Sequence, residues 1–336
     1  TYHPQELMVT TLTNQEGSVT EVFRDKLGQV VLLKRLMDST NVQYLPSPGS
    51  GTRAKSTKTV KQANLGPRAV WACTYYVYDD FGNLTYVLPP KSEANTDKPN
   101  TTELLELCYQ YKYDHRNRLV EKKIPGKFWE HIVYDKLDRP VLTQDTILRK
   151  TSNWLFSKFD KLGRVVITGK NGDTASRNNI QNWIEGTFPK NFVERQNSTF
   201  SVTGTNVYYN YSQSYPNGGS ETIYTISYYD KYDNVLPSGF TAPTLVYNQP
   251  ITTNTNGLPT VNKVRVLDVN PQKWITNITY YDEKARPIYV YSKNDYLLTT
   301  DIVKMRLDFT GKTISTKSYH TKLDDNISET QIVSHS

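Results

Sequence analysis

Polar and apolar residues alternate along much of the chain. In Cys108-Tyr109-Gln110-Tyr111-Lys112-Tyr113 a tyrosine falls at every second position, and Ile288-Tyr289-Val290-Tyr291 puts two rings on one face and two aliphatics on the other. This period of two predicts half-buried β-strands. Pro89-Pro90, Pro125, Pro140 and Pro287 fall at expected strand starts or turns, where a missing N–H donor is tolerated. Helical spacing is confined to two short stretches. One covers Thr101 to Leu107, with Leu104, Leu105 and Leu107 apolar. The other follows Asp173-Thr174-Ala175 and carries Ile180, Trp183 and Ile184, so Asp173 or Thr174 is expected to cap it. Everything else reads as strand or turn.

A repeat punctuates the strands. An aromatic residue is followed by Asp, two variable residues, Gly or a substitute, a basic or amide residue, and an apolar one. The clearest copies are Tyr78-Asp79-Asp80-Phe81-Gly82-Asn83-Leu84 and Phe159-Asp160-Lys161-Leu162-Gly163-Arg164-Val165. Eight copies keep the acid, as Asp25, Asp79, Asp114, Asp135, Asp160, Asp230, Asp282 and Asp308. The glycine position reads Gly28, Gly82, Asn117, Asp138, Gly163, Asp233, Ala285 and Gly311. Gly, Asn and Asp are the residues that best tolerate φ > 0, so only Ala285 should sit in a strained or different turn. Asp followed three residues later by Gly predicts a type I β-turn extended by a left-handed residue, a common hairpin loop. Each carboxylate is expected to accept N–H groups of its own loop. Tyr78 should face Leu84 or lie diagonal to it, Phe159 should do the same with Val165, and each acid should meet the basic or amide residue at the mouth of its turn.

Successive acids are 54, 35, 21, 25, 70, 52 and 26 residues apart. The short intervals fit one hairpin each, and the long ones fit two hairpins or a hairpin with an insertion. The expected organisation is one hairpin array over 1–336, with a mobile polar loop at 46–67 and an insertion at 170–220 that holds a short helix.

Composition limits the classes further. Of 336 residues, 37% are hydrophobic, but aromatics reach 12% with 25 Tyr, far from the aromatic-poor profile of disorder. A core is available and must be built largely from rings. No apolar run approaches the ~18 residues of a membrane span. The first residues, Thr1-Tyr2-His3-Pro4-Gln5, show neither a basic start nor an apolar stretch, so an export signal is expected outside this chain.

The Tyr-Asp-x-x-Gly-Arg unit resembles the YD repeat of Rhs-type proteins. The stretch from Tyr75 through Leu88-Pro89-Pro90, and Tyr113-Asp114-His115-Arg116-Asn117-Arg118-Leu119 through Gly126, are similar to the large secreted YD-repeat proteins of Bacteroidetes. The resemblance runs from about Thr20 to Thr321. It implies an all-β fold of consecutive antiparallel β-hairpins (YD repeats) forming a curved or spiral sheet, part of an Rhs-type shell. In bacterial toxin systems such a shell encloses a C-terminal toxin domain, and in animal teneurins it is an extracellular scaffold. The implied role is a non-catalytic structural segment, secreted or at the bacterial cell surface. Its partners would be other parts of a longer chain, including a C-terminal toxin domain. Rhs cores often end in a self-cleaving aspartyl protease segment with an Asp-Pro-x-Gly-Leu-like motif. That motif is absent here, which puts self-processing in doubt. Strands at the ends of a partial spiral are expected to have open edges able to pair with another copy.

Catalytic and ligand chemistry finds little support. The histidines, His3, His115, His131, His320 and His335, show no i, i+4 pair, and no Cys-x-x-Cys occurs, so no metal or cofactor is expected. Eight acids at equivalent positions argue for turn structure over the paired carboxylates of a glycosidase. Asp79-Asp80 and Asp324-Asp325 are too sparse for a calcium loop. Cys73 and Cys108 each stand six residues before a repeat Asp, which allows either a disulfide between neighbouring strands or two separate thiols. The net charge of +7 is scattered, so a solvated surface is expected and no nucleic acid. The tyrosines are expected mainly as cross-strand ladder and thin core. The alternative is an adhesion module in which exposed Tyr208, Tyr209 and Tyr211 stack on a cell-surface glycan.

Overall fold

The computed structural model describes residues 6–37, 70–92, 98–188 and 190–323, and the backbone of 327–334. The polar loop expected at 46–67 lies outside the described residues. The chain divides into two compact units, Thr1–Glu130 and His131–Ser336.

In the first unit the strands are β1 (Met8–Thr13), β2 (Val19–Arg24), β3 (Val30–Leu36), β4 (Trp71–Tyr78), β5 (Leu84–Leu88), β6 (Tyr109–Tyr113) and β7 (Leu119–Lys123). Each pairs antiparallel with the next. Helix α1 (Thr101–Glu106) fills the connection from β5 to β6. Its cap is a reciprocal box: Asn100 Oδ1 accepts the Glu103 N–H at 3.0 Å, and Glu103 Oε2 accepts the Asn100 N–H at 2.8 Å.

The second unit continues with β8 (Glu130–Tyr134), β9 (Pro140–Gln144), α2 (Thr146–Lys150), β10 (Asn153–Phe159), β11 (Val165–Gly172), α3 (Arg177–Thr187), β12 (Arg195–Val202), β13 (Thr205–Tyr209) and β14 (Thr222–Asp230). It ends with β15 (Leu245–Val246), β16 (Gln249–Pro250), β17 (Thr255–Val266), β18 (Lys273–Tyr281), β19 (Pro287–Asn294), β20 (Thr299–Leu307), β21 (Thr313–Lys322) and β22 (Ile327–Ser334). Strands β8, β9, β10, β11, β14 and β17 to β22 pair antiparallel in that succession. The pairs β12–β13 and β15–β16 form separate two-stranded ribbons. The fold is thus all-β and made of consecutive antiparallel hairpins, as the alternation and the turns predict.

The insertion departs after Gly172 and returns at Thr222. Its helix is capped by Ser176, whose Oγ accepts the Asn179 N–H at 3.3 Å, and not by Asp173 or Thr174. Asp173 is occupied elsewhere, accepting the Ala175 N–H at 2.8 Å and the Tyr215 hydroxyl. Helix α3 covers the side of β8 turned away from β9. Arg177 Nε donates to Ile132 O at 2.9 Å, and the Gln181 amide accepts from Tyr134 N and donates to Tyr134 O at 3.0 and 2.8 Å. These side chains satisfy backbone groups that an adjoining strand would otherwise pair, one of the ways an edge is protected. Below α3 lies the core of the unit, with Trp154, Phe156, Ile167, Ile226, Tyr228 and Ile278 fully buried.

Cys73 and Cys108 are buried and free. Strand β5 stands between β4 and β6, so Cys73 and the start of β6 are two strand spacings apart, about 10 Å. That exceeds the ~7 Å reach of a disulfide between Cα atoms.

The repeat tyrosine has a second use beyond its ring. Tyr78 Oη donates to Val30 O and Tyr113 Oη donates to Leu84 O, both at 3.0 Å, while Tyr229 Oη reaches Val165 O at 3.5 Å. In every case the acceptor lies five residues after the acid of an earlier turn, so each hydroxyl staples its hairpin to the one before it. A neutral hydrogen bond of this kind contributes about 1 kcal/mol. Tyr113→Phe is therefore expected to lower the unfolding free energy by about 1 kcal/mol in urea denaturation. An unchanged midpoint would show that the ring alone carries the position.

Candidate functional site

Among the described residues the repeated turn is the constellation that recurs. At Asp25, Asp79, Asp114, Asp135, Asp160, Asp282 and Asp308 the acid's own N–H donates to the carbonyl four residues on, at 2.9–3.1 Å. Its Oδ1 accepts the N–H groups two and four residues on, at 2.8–3.0 Å. The residue at the glycine position is left-handed in all seven, with φ from 57° at Asn117 to 98° at Gly311. Ala285 is among them at φ 60°, with the same loop bonds, so its turn is the strained alternative rather than a different one. For a non-glycine residue that conformation costs about 1–2 kcal/mol.

The second carboxylate oxygen ties the mouth of the turn. Oδ2 accepts from Nε of Arg118, Arg139, Arg164 and Arg286 at 2.6–2.8 Å, and from Asn83 Nδ2 at 3.0 Å. The aromatic and apolar flanks pair as expected, Tyr78 with Leu84 and Phe159 with Val165. Neighbouring turns also touch: Gln29 Nε2 donates to Gly82 O at 3.1 Å, and Lys284 Nζ donates to Phe309 O at 3.1 Å.

Asp230 departs from the pattern. It is itself left-handed (φ 71°), and its carboxylate receives Arg164 through two bonds of 2.9 and 2.7 Å and the Gly257 N–H at 2.7 Å. Its own loop is held instead by Arg195, which donates to Asp233 O at 2.7 Å. A turn of the repeat type occurs where no acid marks it. Asn14 N donates to Ser18 O at 3.1 Å, Asn14 Oδ1 accepts from Glu16 N and Ser18 N at 3.1 and 2.8 Å, and Gly17 is left-handed. The spacing Asn-x-x-Gly carried that signal.

The residue two positions after the acid gives its N–H to Oδ1 and turns its side chain outward. In four turns that side chain is large and apolar, Leu27, Phe81, Leu137 and Leu162, from 60% to 82% exposed, and in the turn of Asp308 the exposed apolar residue is Phe309, one position after the acid. Nothing in the loop bonding requires an apolar group there.

The tyrosines proposed as a sugar platform lie mostly inside. Tyr209 and Tyr211 are buried at 3% and 0% exposure, and Tyr208 is half-buried, which corrects the expectation of three exposed rings. Tyr209 stacks on Tyr228 with centroids 5.3 Å apart, and Tyr211 stacks on Phe200 at 5.6 Å. Burial pushes the Tyr228 phenol up to about 12 and raises Tyr209 and Tyr211 in the same direction. Lys158, also fully buried, binds the insertion to β10. Its ammonium donates to Tyr211 O, Ser214 O and Ser214 Oγ at 3.0, 2.7 and 3.2 Å and sits 4.1 Å from the Tyr211 ring centroid. Burial holds its pKa well below the ordinary lysine range, with buried Glu221 opposing that shift. With three acceptors in place it is a tether. Among the described residues no three His, Cys, Asp or Glu side chains gather as a metal group.

No family model matches the chain, and no curated protein matches it. Among solved structures it is similar to the crystal structure of TcdB2-TccC3-TEV, with 12% identity and a TM-score of 0.41 over 95% of this chain and 12% of that one. TcdB2-TccC3-Cdc42 gives 13% identity and a TM-score of 0.41 over 95% of this chain and 12% of that one. TcdB2-TccC3 without its hypervariable C-terminal region gives 13% and 0.31 over 90% of this chain and 15% of that one.

The turn carboxylates set a pH dependence. Hydrogen bonds from the Asn83, Arg164 and Thr310 side chains lower the pKa of Asp79, Asp230 and Asp308 respectively. Burial raises Asp114 and Asp282, but their bonds to Arg118 and Arg286 outweigh it and leave both lowered. A carboxylate with a lowered folded pKa contributes stability that is complete above its unfolded value, about 3.9, and is lost as pH falls through the folded value. The thermal midpoint is expected to hold from neutral pH to about 5 and to drop below about 4. A midpoint that stays level or rises on acidification below that point would contradict the role given to these acids.

Proposed function

We propose that this chain is a non-catalytic wall segment of a longer YD-repeat protein, secreted or displayed at the bacterial surface, whose hairpin strips enclose or present another domain such as a toxin. The observation that carries this reading is the occupancy of the acids. In seven of the eight turns Oδ1 serves the loop's own amides, and in five of those Oδ2 binds the mouth residue. Carboxylates engaged in this way are structural supports. The exposed apolar residues at the turn tips add to it, because a wall of stacked strips would bury them and an isolated strip leaves them in water.

The test uses the chain together with the sequence that adjoins it in its full reading frame. A wall segment is expected to shield an adjoining domain, so that limited proteolysis leaves that domain intact while the same domain alone is degraded. Equal digestion rates for the enclosed and the isolated domain would refute the reading, as would turnover of a glycoside or peptide by the segment itself.

A further inference from the structure

In the second unit Arg139, Arg164 and Arg286 bind the acids of their turns, and Lys293 Nζ stands 3.1 Å from Asp295 Oδ1. Lys304, Arg306 and Lys317 differ. They lie on the neighbouring strands β20 and β21, and among the described residues none of the three forms an ion pair. Lys304 pairs directly with Lys317 in the ladder, Arg306 with Ser315 and Ile302 with Tyr319. Residues opposite one another, and residues two apart, share a face, so the three cations stand together on one face of the sheet. Strand β19 continues that face with Tyr289 and Tyr291, the partners of Lys304 and Ile302.

Two of the ammonium groups converge on one ring. Lys304 Nζ lies 5.2 Å and Lys317 Nζ 4.9 Å from the Tyr319 centroid. A hydrogen bond with the Tyr319 hydroxyl raises the Lys317 pKa, which keeps that ammonium charged. Like charges directly opposite one another on adjacent strands destabilise a sheet, and neither β20 nor β21 places an acid on this face to offset them. Their acids are engaged elsewhere. Asp301 is on the other face, where its Oδ1 is 2.6 Å from His320 Nδ1, and Asp308, just past the end of β20, serves its own loop. On β22 the positions paired with Lys317 and Tyr319 are Ile332 and Thr330, neither of them charged.

We propose that this face binds an extended acidic segment of a partner protein, with carboxylates at every second residue. One carboxylate bridges Lys304 and Lys317, and the next meets Arg306. The spacing carries this choice. Arg306 stands two residues along β20 from Lys304, about 7 Å, and an extended peptide repeats the side chains of one face over the same distance. The Tyr319 ring already carries two ammonium groups, which disfavours a sugar stacked on it.

Fluorescence anisotropy of a labelled peptide of alternating Glu and Thr, titrated with the chain, tests this. The peptide is expected to bind with a Kd below about 1 mM in low salt and to weaken several-fold at about 0.15 M salt. The same peptide with Gln in place of Glu is expected not to bind. Joint Lys304→Gln and Lys317→Gln substitution is expected to weaken binding at least about tenfold. Joint Lys304→Arg and Lys317→Arg substitution should retain it, and so should Asp301→Asn on the other face. Folding of each variant is checked by circular dichroism; if the double Gln variant unfolds, Lys304→Gln alone is measured and should lose at least about threefold. No binding up to about 1 mM overturns the proposal, as does full affinity in a folded Gln variant or equal binding of the Gln peptide. Tighter binding of a heparin fragment or single-stranded DNA at the same lysines also overturns it, since the face would then take a different polyanion.

Discussion

A tight hairpin bend takes backbone N–H groups out of the ladder and forces one residue to a positive φ. The rest of this structure depends on how those two demands are met. A single carboxylate oxygen accepts two amides of the loop, and a Gly, Asn or Asp, or Ala285 at one turn, takes the left-handed position. With the bend fixed, the register of the two strands is fixed, and with it the pairing of Phe159 with Val165 or Tyr78 with Leu84. The second oxygen then orients the arginine at the mouth, whose remaining donors reach other segments: Arg139 Nη2 to Asn191 O and Arg286 Nη1 to Asp308 O. Tyrosine hydroxyls close the link from hairpin to hairpin. One local motif thus supplies turn, register and lateral attachment.

Much of this was legible in the sequence because it is local. The Asp, the left-handed residue and the mouth residue lie within five positions, so turn chemistry alone identifies them. What failed depended on partners far along the chain. Asp230 looks like the other acids, but its carboxylate is claimed by Arg164, 66 residues earlier, and its loop by Arg195 from the insertion. Asn14 was missed for the opposite reason. An amide oxygen accepts the same two amides as a carboxylate, and a search for acids passes over it.

The insertion shows the same limit for burial. Aromatic density in Tyr208-Tyr209-Asn210-Tyr211 does not tell inside from outside. Tyr209 and Tyr211 go inside because β10 and β14 offer Lys158 and Tyr228 as partners. Helix α2 was too short for its period to emerge from a strand background, although Asp145 caps it by accepting the Leu148 N–H at 2.9 Å. The outward apolar residues of the turns were visible only once the loop geometry showed which of its variable positions points away from the sheet.

The central claim is that each repeat acid holds its own bend. Amide hydrogen exchange in Asp114→Ala tests it most directly. The account predicts that protection is lost at Arg116 and Arg118, the two amides bound by Asp114 Oδ1, while the turns at Asp25 and Asp282 keep theirs. Unchanged protection at Arg116 and Arg118, or a simultaneous loss at those distant turns, would contradict it.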